Sequence, residues 1–202
     1  MIFKYNSFLN IKLIQNLVRT KNLKILDFGC GTGVWSQNNL KNKNIKNIIL
    51  YDKNKKLIKI LKKKYSQKKV KINFSLKSII KKKNYNLVII SSVIQYMSIA
   101  EFKKIINLIA QNKRKQKRNF HIIITDIPVL PRPLEFILMP FFNIKRFLFF
   151  LSVIFNHDYK KLKFYLHEKK DFSFLKNKFK IIFTKNIHDL KYLRYSIVLK
   201  LK

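Results

Sequence analysis

The chain has 202 residues, the length of one domain, and 48% hydrophobic with 14% aromatic residues is enough for a real core, which excludes wholesale disorder. A single cysteine excludes a disulfide framework, and four scattered histidines (121, 157, 167, 188) have no metal-ligand spacing, so no metal site is expected. The formal charge of +36 raises the question of a polyanionic partner, but thirty-nine of the forty-five basic residues are lysine. Geometric recognition of phosphate prefers the arginine fork, so a lysine-coated, solvated surface is the favoured reading over a nucleic-acid site.

Taken in chain order, apolar residues at helical spacing predict a helix over 8–20, and the amino terminus shows no signal peptide pattern. A cytoplasmic protein is the expectation. A short buried strand follows at 24–28, a helix begins at Val34, and a second strand spans 47–52. Residues 55–66 form a basic amphipathic helix, 70–75 a third strand and 86–92 a wholly apolar fourth. Ser98 with Glu101 three residues on is a capping box that opens a helix over 98–111. A fifth strand lies at 120–127, and two more at 179–186 and 193–201 close the chain. No linker or repeat divides this alternation. The expected fold is a single-domain, doubly wound α/β sheet of Rossmann-like type, mostly parallel with an antiparallel C-terminal strand.

All the glycine in the chain lies in one place, "KILDFGCGTGVWS", at positions 29, 31 and 33. A strand enters this loop and a helix leaves it, which is the context a glycine motif needs. Glycine permits positive φ, close backbone approach to a ligand and tight helix–strand packing, and the helix start adds free N–H groups. The next strand ends in Asp52, where a carboxylate can accept both hydroxyls of a ribose. The loop therefore faces a nucleoside-containing cofactor. The spacing is G-x-G-x-G, against G-x-G-x-x-G for nicotinamide dinucleotides.

"ILDFGCGTG", then "LYDKN", then "YNLVIISSVIQYM" resembles the motif series of class I S-adenosylmethionine-dependent methyltransferases, well over about 20–127 and loosely over 179–202. The resemblance implies S-adenosylmethionine as cofactor. It implies that Asp27 lies near the methionine part, that Gly29, Cys30 and Gly31 line the cofactor with Gly33 completing the loop, and that Asp52 holds the ribose with Lys53 beside the adenine. Ser75 and Leu76 would flank the adenine, although many members carry an acid there. Ser91 and Ser92 would offer backbone carbonyls to the methionine ammonium. Cys30 reads as a small loop residue and not as a nucleophile.

Methyl transfer needs a nucleophile held in line and relieved of its proton. Two catalytic candidates stand near the expected crevice. Tyr96 occupies a place where the family often has histidine, with a core aromatic as its rival reading, and Asp126 ends the fifth strand as an anchor or base, with a pre-proline turn as its rival. Motifs for methylation of bases, of cytosine C5 and of ribose are absent, and so are the carboxylates of metal-dependent members. The aromatic section at about 129–170 reads as a variable, lid-like insertion. Its charges and prolines argue against a membrane span; a lid, or peripheral contact with an anionic membrane, fits better. The expected acceptor is a small molecule, a saccharide or a lipid-linked intermediate, methylated on O or N. An RNA substrate and a non-catalytic binding protein are the alternatives, and the oligomeric state is left open.

Overall fold

The computed structural model describes residues 22–65, 69–82, 85–113, 120–128, 144, 148, 167, 169–185 and 194–202. The expected helix at 8–20 and nearly all of the 129–170 section lie outside these residues. The described elements are β1 (Leu23–Phe28), α1 (Val34–Asn39), β2 (Ile45–Tyr51), α2 (Lys55–Lys64), β3 (Val70–Asn73), α3 (Leu76–Lys82), β4 (Leu87–Ser91), α4 (Ile99–Lys113), β5 (His121–Pro128), β6 (Phe179–Lys185) and β7 (Arg194–Leu201). Short 3-10 segments at Ile94–Tyr96 and Lys169–Asn177 complete them.

The strands form one seven-stranded sheet in the order β3-β2-β1-β4-β5-β7-β6. All neighbouring pairs from β3 to β5 are parallel, and β7 runs antiparallel to both β5 and β6. This is the expected doubly wound sheet with its reversed C-terminal strand. The chain turns outward in both directions from β1, so the β1/β4 boundary is the topological switch point, beyond whose carboxyl ends open α/β sheets bind ligands.

Both faces of the central strands are covered, which is why β1, β4 and β5 read as continuous Ile/Leu/Val runs instead of alternating. One core cluster joins Leu26, Val88, Ile122 and Ile124 to Phe102, Ile106 and Ile109 of α4. The other joins Ile25, Ile48, Leu50 and Ile89 to Ile58 and Leu61 of α2. The capping box forms as read: the Ser98 hydroxyl accepts from Glu101 N at 3.2 Å, and Glu101 accepts from Ser98 N at 2.9 Å. Buried Lys113 closes the same helix by donating to the Tyr85 carbonyl at 2.7 Å, with its ammonium 3.8 Å from the Tyr85 ring centroid. The helix α3 has no counterpart in the sequence reading. Its seven residues sit between lysine-rich flanks, and its signal is the short-range capping in which Ser75 Oγ accepts from Ser78 N at 3.3 Å.

His121 opens β5 fully packed, with no partner for Nδ1, and burial followed by the nearby Lys200 charge pushes its pKa down to about 4. The folded state therefore prefers the neutral ring. Stability from this site is full above the ordinary value of 6.5 and falls as pH drops towards 4. We expect a loss on the order of 1–2 kcal/mol across that window after allowing for solvent screening, read by urea denaturation, and a flatter acid limb in His121→Val.

Candidate functional site

The carboxyl ends of β1, β2 and β4 open onto a cavity of about 700 Å³. Its walls come from three segments: Phe28, Gly29 and Gly31; Tyr51 to Asn54 with Leu57; and Ser91 to Val93 continuing through Tyr96 and Met97 to Glu101, Lys104 and Ile105. The first segment is the glycine loop, and the structure gives its three glycines three different reasons. All have positive φ, at 71°, 56° and 73°. A Cβ on Gly29 would stand 2.5 Å from Val93 Cγ2, so this residue lets the loop pack against the segment after β4. A Cβ on Gly33 would meet the Tyr65 hydroxyl at 2.9 Å and Leu61 at 3.0 Å, so this one lets α1 start against α2. A Cβ on Gly31 would meet no atom within 4 Å; the space it would enter belongs to the cavity. At Gly31 the backbone faces the cavity with no side chain in between.

Asp52 follows β2 and is largely buried in the cavity wall. Its Oδ2 accepts from Gly31 N at 3.0 Å and its Oδ1 from Asn54 N at 2.8 Å. An ionised carboxylate has about four acceptor positions, so two remain for a ligand. The same Asn54 caps α2, its side chain accepting from Lys56 N at 3.0 Å. The turn 52–54 thus fixes the carboxylate through the Asn54 backbone and starts α2 through the Asn54 side chain.

The remaining candidates divide. Lys53, Ser91, Ser92 and Tyr96 line the cavity with Gly29, Gly31 and Asp52. Gly33, Cys30, Asp27, Ser75, Leu76 and Asp126 are not in its lining. Asp27 lies buried under the loop and accepts from Ser36 Oγ at 2.6 Å. Burial raises its pKa to about 6, with Ser36 pulling the other way and the Asp52 charge adding to the rise. Cys30 donates its backbone N–H to the Tyr51 carbonyl at 3.0 Å and packs against the α2-side core. Burial, then the charges of Asp27 and Asp52, push its thiol far up, which disfavours the thiolate at neutral pH. Ser75 and Leu76 start α3. Asp126 sits behind Ser92, accepting from its hydroxyl. Sequence reasoning missed Phe28, Tyr51, Asn54, Leu57, Val93, Met97, Glu101, Lys104 and Ile105 as cavity walls; all lie at a strand end, just after one, or in the first two turns of the helix that follows, which is the available signal. Among the described residues no group of three or more metal-ligating side chains occurs, and no helix is long and apolar enough to cross a membrane.

Two predictions follow from the loop. Gly29→Ala carries both a clash and a left-handed φ and should cost about 2–4 kcal/mol in urea denaturation, part of it recovered by adding Val93→Ala. Gly31→Ala, with strain alone, should cost about 1 kcal/mol. Asp27 holds a proton in the folded state between the ordinary 3.8 and about 6, so its contribution to stability declines as pH rises through that window. Asp27→Asn keeps an acceptor for Ser36 and should stabilise the protein by about 2 kcal/mol at pH 8 while changing little at pH 4, as read from melting curves.

Comparison with known proteins bears on what such a cavity serves. A family model described as a methyltransferase domain matches residues 19–134. A search of curated proteins finds no match. Among solved structures, magnesium protoporphyrin IX methyltransferase from Synechocystis PCC 6803, with bound SAH, is 16% identical with a TM-score of 0.59, covering 95% of this chain and 78% of that one. The methyltransferase domain of bacterial CtHen1 gives 15% and 0.57, with 95% of each chain covered. The N-methyltransferase NodS from Bradyrhizobium japonicum WM9 gives 8% and 0.56, covering 95% and 93%. At these identities the structures establish the fold, and the family match spans more than half of the sequence. The chain belongs to the class I methyltransferases, enzymes that use S-adenosylmethionine.

Proposed function

We propose that this methyltransferase acts on O or N of a small-molecule, saccharide or lipid-linked acceptor, with the donor held between the glycine loop and the ends of β2 and β4. The observation that carries the donor site is Asp52, fixed by Gly31 N and Asn54 N with acceptor capacity left over. Those positions suit the two hydroxyls of a ribose. Lys53 would stand beside the adenine, Gly29 and Gly31 would meet the donor with backbone, and Ser91 and Ser92 would offer main-chain oxygens to the ammonium. Asp27 and Cys30 would act from beneath the loop, through the negative charge of one and the backbone of the other. Ser75 and Leu76 carry no part in this reading, because Ser75 caps α3, Leu76 opens it, and neither lines the cavity.

The bound donor supplies an electrophilic methyl on a sulfonium; the protein's task is to place the acceptor in line and keep water away. Val93, Tyr96, Met97 and Ile105 give that part of the cavity an apolar wall, with Lys104 and Glu101 at the same side. Tyr96 would orient the acceptor atom. The cavity's size is in the usual range for small-molecule sites, which suits a nucleoside-containing donor. Contacts with RNA or an anionic membrane would draw on the lysine-coated exterior, an attraction that salt screens.

Calorimetric titration at high salt with S-adenosylmethionine, S-adenosylhomocysteine and NAD tests this reading. We expect selective binding of the first two, weakened by about 1–3 kcal/mol in Asp52→Ala. Gly31→Val should fold and fail to bind. Unchanged affinity in Asp52→Ala would show the ribose anchor to be misassigned.

A further inference from the structure

Among the described residues only Asn22, Ser92 and Asp126 adopt positive φ without being glycine. Ser92 (φ 56°) and Asp126 (φ 63°) are neighbours in space, just past the point where the parallel pair β4–β5 ends its register at Ser91 and Thr125. Three hydrogen bonds join the two strand ends. Thr125 Oγ1 donates to Ser91 Oγ at 2.9 Å, Ser92 N donates to the Thr125 carbonyl at 3.2 Å, and Ser92 Oγ donates to Asp126 Oδ2. On its other side β5 breaks register with β7 between Ile124 and Ile127, a bulge that places Asp126.

A serine in the left-handed region costs free energy and persists only where its surroundings hold it. Here the holding group is a carboxylate outside the cavity lining, while Ser91 and Ser92 form part of the wall itself. We infer that Asp126 is a positioning residue: through the Ser92 hydroxyl it locks the left-handed turn after β4 and so fixes how the main chain at Ser91 and Ser92 meets the methyl donor. This rests on the donor site proposed above. It gives Asp126 a role in donor binding, where the sequence reading offered a substrate anchor or base.

The test is a mutant cycle read by calorimetry with S-adenosylmethionine, with a melting curve for each variant. Asp126→Gly removes the carboxylate yet tolerates positive φ, and should weaken binding roughly tenfold. Asp126→Asn retains a neutral acceptor and should weaken it only about two- to threefold. In a Ser92→Gly background the turn no longer needs the clamp, so adding either Asp126 substitution should change affinity less than about twofold. If Asp126→Gly fails to melt cooperatively, the Asn variant completes the cycle. Equal losses in both backgrounds, or no loss with Ser92 present, overturn the clamp. Wild-type protein that binds neither S-adenosylmethionine nor S-adenosylhomocysteine overturns the donor site, and the clamp falls with it.

Discussion

The site depends on how the end of β2 ties down the glycine loop. The Tyr51 carbonyl accepts two successive N–H groups, from Gly29 at 2.7 Å and Cys30 at 3.0 Å, and the Asp52 carboxylate takes the third, from Gly31. Three consecutive donors can converge on one strand end only if the chain curls sharply, and the positive φ values of the loop supply that curl. From the other side the Tyr65 hydroxyl donates to the Gly33 carbonyl at 2.7 Å, and the same carbonyl accepts Gln37 N as α1 begins. The loop is therefore pinned by β2 at its start and by α2 at its end. Gly31, between the pins, is left facing open space.

Charge is partitioned in a way the net figure hides. Asp27, Asp52 and Asp126 are all buried at the carboxyl ends of β1, β2 and β5, whereas α2 alone carries six lysines in ten residues and no acid. Three carboxylates thus sit at the strand ends inside a cationic shell, while the cavity lining itself balances Asp52 and Glu101 with Lys53 and Lys104. Close carboxylates disfavour one another's ionisation, and the rise at Asp27 has a contribution from Asp52. A ligand bearing positive charge relieves that repulsion, while the lysines outside act on any polyanion regardless of the site. The two fields have separate consequences, so overall charge is a poor guide to the acceptor.

What could be read in the sequence follows from what each signal depends on. The strands were legible because both faces of the sheet are covered and apolar runs are continuous; the glycine loop, because its backbone admits few other residues; α4, because Ser98 and Glu101 announce it. The helix α3 was not legible, since seven residues with three lysines and one serine carry little periodicity. Membership of the cavity wall was legible where the wall is made of backbone and strand ends, as at Gly29, Gly31 and Asp52. It was not legible where membership turns on which way a side chain points. Cys30 lies between two cavity glycines and faces the core, and Ser75 ends a plausible strand yet serves as a cap. Asp126 is at the expected strand end, but the bulge in β5 turns it towards Ser92, and a bulge leaves no mark in an apolar strand pattern.

The two halves of the cavity are built on different principles. On the β1–β2 side, main-chain donors converge on fixed acceptors and glycine supplies the geometry without strain. On the β4 side the turn is made by Ser92 without glycine, and side-chain hydrogen bonds to β5 hold it there. The Ile94 carbonyl beyond it is met by the ring of buried His167 at 3.0 Å, and His167 stacks edge-on against Phe172 of the core. The chain beyond β5 thereby returns to brace the turn that carries Tyr96. Between the halves run β1 and β4, paired from Ile25 with Leu87 to Phe28 with Ile90 and buried throughout. A wall on each side, fixed to adjacent strands of one close-packed sheet, cannot drift apart without breaking that ladder. The two walls thus keep a set separation, and in-line displacement demands that of a protein which contributes little covalent chemistry of its own.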